Sequence, residues 1–112
     1  MSTNSSITVQ TADDKFLNIY CHWDGYLEGV GKQLKDNYNT QELAELVVSV
    51  GDLSNLGCTM ESGETTAYGR DRNEDDTDTQ VFTSFKDVLE GNNRGYNYLW
   101  SNGQWTCNRR KY

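Results

Sequence analysis

The only histidine of the chain, His22, stands two residues before Asp24, and the two side chains could together do acid–base chemistry. An imidazole that a carboxylate orients can act as a general acid, a general base or a metal ligand. If the preceding strand continues through them, both side chains point to one face of the sheet. The alternative is a turn in which the Asp24 carboxylate caps the next helix. We favour the turn and predict no catalytic residue.

The three cysteines, Cys21, Cys58 and Cys107, are odd in number and widely spaced. This spacing fits neither a disulfide framework nor a zinc site, so we predict reduced, mostly buried thiols, no metal and no cofactor. Adjacent residues of a strand point to opposite faces, so we do not expect Cys21 and His22 to form a nucleophile–base pair.

A second candidate site is the run Tyr68-Gly69-Arg70-Asp71-Arg72, in which two arginines flank an acid after a predicted strand. Arginines can bind a phosphate or a carboxylate through bidentate contacts. The alternative is an internal ion-pair network that pins an acidic loop. If the strand that holds Tyr68 lies beside the strand that ends at Cys21, the arginines would join His22 and Asp24 in one pocket.

The net charge of −7 is concentrated in one segment. Residues 61–78 contain seven acids and two bases, so they contribute −5 of this charge. An acidic balance argues against direct contact with a nucleic-acid backbone, which needs excess Lys and Arg. It favours a basic partner or simple solubility.

Alternating and β-branched residues predict strands at 7–11, 16–21 and 65–68, and residues 79–82 are either another strand or a lead-in to the helix that follows. Apolar residues at helical spacing predict helices at 26–38, from an Asn39 or Thr40 cap to Val50, and at 85–90. We interpret 52–57 as a turn and 69–76 as a charged loop. Asn102-Gly103 between aromatic runs predicts a C-terminal β-hairpin, in which Trp100 and Trp105 pair.

These elements predict an α+β domain: a small antiparallel sheet of about four or five strands with an αα-hairpin packed on one face and the C-terminal β-hairpin. We expect a disordered N-terminus at 1–6 and a single domain at 7–112. No apolar run is long enough to span a membrane, and the first residues lack a signal-peptide pattern, so we expect a cytoplasmic protein.

The string Cys21-His22-Trp23-Asp24-Gly25-Tyr26, with Gly29-Val30-Gly31 after it, resembles a family of small proteins encoded by bacteriophages and prophages. The similarity continues through residues 51–57, 67–75, 85–91 and 96–100. In the family a proline often follows the tyrosine, where this chain has Leu27. The resemblance carries no activity with it, but it implies a viral origin and a setting in the host cytoplasm.

Three hypotheses follow. The first is a non-enzymatic inhibitor that binds a basic surface of a host factor, such as CRISPR–Cas or a nuclease, with acidic charge that mimics nucleic acid. The second is a binding protein or sponge for a nucleotide signal, and the third, less favoured, is a small hydrolase that uses His22 and Asp24. We also expect that two copies could pair through the edge of the terminal hairpin. The predicted ligand- or partner-binding residues are His22, Trp23, Asp24, Tyr26, Tyr68, Arg70, Asp71, Arg72, Glu74, Asp75 and Asp76.

Overall fold

Strand β1 (Ser5–Gln10) lies at the centre of the sheet in the computed structural model, which describes residues 3–109. It pairs antiparallel with β2 (Phe16–Cys21) and in parallel with β6 (Tyr96–Ser101). Its apolar residues Ile7 and Val9 alternate along the strand and are fully buried on the core face.

Seven strands form one sheet, and the remaining four are β3 (Leu53–Asn55), β4 (Thr66–Ala67), β5 (Gln80–Phe82) and β7 (Gln104–Arg109). The order is β4-β3-β2-β1-β6-β7, and β5 also pairs with β2. Strand β3 pairs with the end of β2 at Cys21, whereas β5 pairs with its beginning at residues 16–18.

The α+β class and the C-terminal β-hairpin are confirmed, but the sheet is mixed and not antiparallel. The β1–β6 and β2–β3 pairs are parallel. The sheet also has more strands than predicted, because β3 and β4 are only three and two residues long and are too short to show an alternating pattern.

A π-helical turn (Leu27–Gly31) runs directly into helix α1 (Lys32–Asn37), and helix α2 (Gln41–Ser49) follows. The short helices α3 (Tyr68–Arg72) and α4 (Phe85–Gly91) come later in the chain. Among residues 3–109, no helix combines the length and the apolar character that crossing a bilayer requires.

Side-chain caps start two of these helices. The hydroxyl oxygen of Thr40 accepts the N–H of Leu43 at 3.2 Å, and that of Ser84 accepts the N–H of Asp87 at 3.1 Å. The first of these identifies Thr40, and not Asn39, as the cap of α2. Each bond satisfies one of the N–H groups that a first helical turn leaves free.

Three local predictions are corrected. The predicted turn at 52–57 contains β3, and the first part of the predicted loop at 69–76 is the end of helix α3. The first strand begins at Ser5, two residues before the predicted start, so Ser5 and Ser6 are buried sheet residues and do not belong to a disordered N-terminus. Serine is neither β-branched nor aromatic and gives no strand signal, and these two residues are in the sheet because they pair with β2 and β6.

Helices α1 and α2 pack on one face of the sheet, as the predicted αα-hairpin requires. The core between them is apolar and includes Ile7, Val9, Ile19, Cys21, Val30, Leu34, Tyr38, Ala44, Val47, Val48, Leu53, Tyr98 and Trp100.

The opposite face of the sheet is polar although it is buried. Ser6 donates to Oδ1 of Asn97 at 2.8 Å, and Nδ2 of Asn18 donates to the hydroxyl of Thr8 at 2.9 Å. Asn92, just after α4, donates to Oδ1 of Asn18 at 2.9 Å and so holds the end of that helix on this face. Buried polar groups are tolerated here because they hydrogen-bond one another.

Candidate functional site

His22 and Trp23 extend the pairing of β2 with β3. Their N–H groups donate to the carbonyl oxygens of Leu53 and Ser54 at 3.0 and 2.9 Å. The chain then turns at Asp24, whose φ of 56° lies in the left-handed region. Aspartate tolerates this conformation better than most residues other than glycine, which explains why the extended segment ends there.

The imidazole of His22 contacts two aromatic side chains. Its Nδ1 lies 2.6 Å from the hydroxyl oxygen of Tyr20, and the ring of Trp23 meets it edge-on with centroids 4.7 Å apart. The carboxylate of Asp24 instead accepts a hydrogen bond from the hydroxyl of Tyr26 at 3.3 Å. The two members of the predicted acid–base pair therefore have different partners.

Asp24 acts on the following helical turn through its backbone and not through its carboxylate. Its carbonyl oxygen accepts the N–H of Val30 at 2.7 Å, and Tyr26 is the residue at the N-cap position. A Cβ atom at Gly29 would lie 2.2 Å from the Asp24 oxygen. The prediction of a carboxylate cap is wrong, and the close backbone approach explains the glycine inside the helical segment.

The cysteines differ in environment. Cys21 is fully buried, Cys107 is half-buried and Cys58 is exposed, so the prediction of buried thiols is wrong for Cys58. Burial raises the pKa of Cys21 to about 12, so this thiol stays protonated at neutral pH. It cannot act as a nucleophile in that form.

Arg70 is bound to its own neighbourhood. Nη1 donates to the carbonyl oxygen of Met60 at 2.5 Å, and Nη2 donates to that of Thr65 at 2.8 Å and to the carboxylate of Asp71 at 2.9 Å. Asp71 also accepts the N–H of Ala67 at 2.8 Å. This is the internal network that we set out as the alternative to a ligand site.

The second predicted arginine, Arg72, is occupied differently, because its Cζ lies 5.3 Å from the ring centroid of Tyr68 in a cation–π contact. Strand β3 lies between β2 and β4, so the strand before Tyr68 is not beside the strand that ends at Cys21. The adjacency on which the composite pocket depended is therefore wrong.

Helix α3 is followed by an acidic loop that is fixed at several points. The N–H of Glu74 donates to the carbonyl oxygen of Tyr68 at 3.1 Å, and the N–H of Asp52 donates to that of Thr77 at 2.8 Å. The side chains of Glu74, Asp75 and Asp76 are exposed. The predicted acidic residues are thus held on a shaped loop and point into solvent.

A polar cavity that sequence reasoning missed lies on the other face of the sheet, with a volume of about 50 Å³. Arg94, Tyr20 and Asp52 line it, together with the amide side chains of Asn18, Gln80 and Asn92. The Arg94 guanidinium stacks over the ring of Tyr20, with Cζ 4.8 Å from the centroid. Its Nε is buried without a hydrogen-bond partner in the described residues.

Asp52 lies at the same cavity, and its Oδ1 accepts the N–H of Tyr20 at 2.9 Å. Burial raises the pKa of Asp52, although the Tyr20 hydrogen bond and the positive charge of Arg94 act in the opposite direction. No carboxylate oxygen of residues 3–109 lies within the 4.0 Å ion-pair distance of Arg94. The guanidinium of Arg94 therefore has no carboxylate partner among the described residues.

No local pattern could have revealed this cavity. Tyr20 belongs to an ordinary strand, Asp52 follows a helix-ending glycine, and Arg94 stands in a short connector before β6. The sheet brings these three segments together, and their separation in sequence hides the relationship.

In the part of the chain that the structure describes, no three His, Cys, Asp or Glu side chains are grouped closely enough to hold a metal ion. Comparison of the chain with protein-family models, with curated proteins and with solved structures gave no match.

Proposed function

We propose that this protein is a phage-encoded, non-enzymatic inhibitor that docks an acidic surface onto a basic groove of a host defence factor. The acidic surface consists of the exposed side chains Glu61, Glu64, Glu74, Asp75, Asp76 and Asp78. The phage origin and the host-cytoplasmic setting rest on the His-Trp-Asp-Gly-Tyr resemblance.

The observation that carries the proposal is that this charge is not neutralised. Among residues 3–109, none of the six carboxylates lies in an ion pair. Of the two arginines in the segment, Arg70 pairs with Asp71, and Arg72 stacks on Tyr68. A field of one sign attracts a partner of the opposite sign and accelerates its association.

The acidic surface is also held in shape, which lowers the entropic cost of binding. Before helix α3 in the chain, the carbonyl oxygens of Met60 and Thr65 accept hydrogen bonds from Arg70. After the helix, the carbonyl oxygen of Thr77 accepts the backbone N–H of Asp52. A preorganised group of carboxylates can imitate the phosphates that a Lys- and Arg-lined groove normally binds.

The turn after β2 carries exposed aromatic side chains. Trp23 and Tyr26 are 46% and 40% exposed, and such side chains commonly anchor protein interfaces. A cavity of about 290 Å³ beside this turn is lined by Asp24, Glu28, Leu56 and Cys58. In this proposal Trp23 and Tyr26 are the apolar anchor and the acidic surface supplies the charge.

The test compares two triple variants with the same change in charge. Asp75→Asn/Asp76→Asn/Asp78→Asn removes three carboxylates from the acidic surface, and Asp14→Asn/Glu42→Gln/Glu90→Gln removes three exposed carboxylates elsewhere. A partner captured from bacterial lysate is identified, and its affinity is measured at several salt concentrations with and without competing nucleic acid. We expect only the first triple variant to bind about tenfold more weakly, since exposed ion pairs contribute about 0.5 kcal/mol each.

Nucleic acid should compete with the protein for the same groove, and added salt should weaken the wild type more than the first triple variant. Equal affinity and equal salt dependence in both triple variants would overturn the proposal. So would a partner that nucleic acid does not displace.

The second candidate function, a binder or sponge for a nucleotide signal, is favoured by the unpaired Arg94. An arginine stacked on an aromatic ring, with free donors at a polar cavity, can bind a phosphate or the edge of a base. The arginines that we had predicted for this role, Arg70 and Arg72, are occupied. This candidate therefore moves to the opposite face of the sheet, to Arg94, Asp52 and Tyr20.

A panel of nucleotides tests this candidate by thermal unfolding. A ligand at a hundred times its Kd should stabilise the fold by about 2.7 kcal/mol, which raises the Tm of a domain this size by about 10 °C. Arg94→Gln should abolish the shift, and Arg72→Gln should retain it. No shift with any nucleotide, or an equal shift in Arg94→Gln, would rule this candidate out.

A further inference from the structure

We propose that two copies of this chain form a symmetric dimer by antiparallel pairing of their β7 strands, centred on Cys107. Strand β7 pairs only with β6 within residues 3–109, so its other side is a sheet edge. The inference concerns self-association and is independent of the acidic surface and of the polar cavity.

The turn of the terminal hairpin decides which backbone groups are free. Asn102 and Gly103 have φ of 55° and 76°, the signature of a two-residue type I′ turn, and Ser101 pairs with Gln104 beside it. In such a hairpin the flanking pair exchanges both hydrogen bonds, and alternate residues then do the same. Gln104, Thr106 and Asn108 therefore bond to β6.

The other three residues of the strand, Trp105, Cys107 and Arg109, direct their N–H and C=O groups to the free edge. Antiparallel pairing centred on Cys107 uses all of these groups and forms about six backbone hydrogen bonds. The pairing is self-complementary, because each of these residues supplies one N–H donor and one C=O acceptor on both copies.

The side chains favour this register over its neighbours. Centring on Cys107 places Trp105 of each copy opposite Arg109 of the other, a cation–aromatic pair on the helix-covered face. Arg109 already stacks on Tyr96 of its own chain, with Cζ 5.0 Å from the centroid. Centring on Arg109 would instead place two like charges opposite each other, which is destabilising.

Charge explains why the occupant is a second copy. The chain carries 17 acidic residues and a net charge of −7, so most of its surfaces repel one another. Strand β7, Gln-Trp-Thr-Cys-Asn-Arg, contains no acid. Two of these acidic molecules can therefore pair along this edge without a carboxylate in either of the paired strands.

A groove of about 620 Å³ runs between helix α1 and β7. Its lining combines Leu27, Tyr98, Trp105 and Cys107 with the charged residues Glu28, Lys32, Lys35 and Asp36. A two-fold axis perpendicular to the sheet would put both grooves on the same face of the sheet, one on each side of the seam. The exposed side chain of Leu27 would then be partly buried near the seam, which adds hydrophobic burial to the backbone bonds.

The introduction of charges at the seam tests the dimer. Thr106 and Asn108 are exposed, and in this register Thr106 lies opposite Asn108 of the second copy. Thr106→Glu/Asn108→Glu and Thr106→Lys/Asn108→Lys should each be monomeric, whereas an equimolar mixture should restore a dimer. Light scattering after size exclusion gives the mass, and circular dichroism of each variant establishes that it is folded.

Cross-linking tests the register. In a Cys58→Ser background, a short bismaleimide should link Cys107 to Cys107 of the second copy, and Cys107→Ser should prevent the link. A wild type that is monomeric at its highest soluble concentration would overturn the proposal. So would a dimer that persists in the Glu variant, or a dimer that Cys107 does not cross-link.

Discussion

The carbonyl oxygen of Asp24 occupies the space that a side chain at Gly29 would need, because a Cβ atom there would lie 2.2 Å away. Helix propensity alone favours Ala over Gly by about 1 kcal/mol. We expect Gly29→Ala to destabilise the fold by about 1–3 kcal/mol instead, since the backbone of the His22-Trp23-Asp24 turn must move. Urea denaturation measures the difference.

Gly91 is the matched control for this substitution. It closes helix α4, and a Cβ there would meet only ring atoms of Phe82, at an ordinary 3.6 Å. Gly91→Ala should be neutral or slightly stabilising. If both substitutions have the same effect, the close approach at Gly29 does not govern stability.

Gly51 follows helix α2 and contacts the acidic loop at Thr77, and two features require glycine there. Its φ is +82°, and a Cβ would lie 2.3 Å from the carbonyl oxygen of Thr77. Gly63 has a φ of +102° but no atom within 4 Å of such a Cβ, so Gly63→Ala should carry only the backbone strain. We expect Gly51→Ala to lower the unfolding free energy more than Gly63→Ala, with faster amide exchange in the loop at residues 73–79.

Asp71 should make stability depend on acid pH. Hydrogen bonds from Arg70, from Ser62 and from the N–H of Ala67 hold the pKa of its carboxyl well below the usual range. A carboxyl with a lowered pKa in the folded state stabilises the fold above its unfolded pKa of about 3.9, and this contribution is lost as the pH falls toward the folded value. Asp71→Asn should therefore be less stable than wild type at pH 7, with a smaller difference at pH 2.

Asp75→Asn provides the comparison for that measurement, because Asp75 is exposed on the acidic loop. Urea denaturation at both pH values should show little change for this variant. An Asp71→Asn deficit that is the same at pH 7 and pH 2 would contradict the assigned role of the carboxylate.

Asp52 should respond in the opposite direction. Burial raises the pKa of this carboxyl, so its ionisation opposes folding. The folded state loses stability as the pH rises above the unfolded pKa, and it regains that stability as the pH falls back through the folded pKa. Asp52→Asn keeps an oxygen for the N–H of Tyr20 and should be neutral or stabilising at pH 7. Asp52→Ala removes that acceptor and should cost about 1 kcal/mol.

The two Asp52 variants separate the hydrogen bond from the charge, and chemical denaturation at pH 7 measures both. If Asp52→Asn is as unstable as Asp52→Ala, the negative charge itself stabilises the fold. The interaction between Asp52 and Arg94 would then outweigh the cost of burial.

Local signals in the sequence predicted the elements that depend on neighbouring residues. The Asn102-Gly103 turn and the polar cap before helix α2 each follow from the conformational preference of one or two residues. Residues 16–21 form a strand with the predicted bounds for the same reason, since alternation over six residues is a local property.

The pairing of distant segments could not be predicted in this way. Strand β1 lies beside β6 because Ile7 and Val9 of β1 and the aromatic residues of β6 are buried together on one face of the sheet. This pairing depends on the whole core. Segments as short as β3 and β4 become strands only because a neighbouring strand offers hydrogen-bond partners, β2 to β3 and β3 to β4. The resulting mixed sheet is a tertiary outcome.

The candidate sites divide along the same line. The sequence by itself determined the excess of negative charge in residues 61–78 and the exposed, polar character of that segment, because charge and solvation belong to each residue. Only the tertiary structure decided which arginine side chains already have a partner within the protein. It turned Arg70 inward onto Asp71, stacked Arg72 on Tyr68, and left Arg94 beside Asp52 and Tyr20, because hydrogen-bond partners are set by distances in space and not by spacing along the chain.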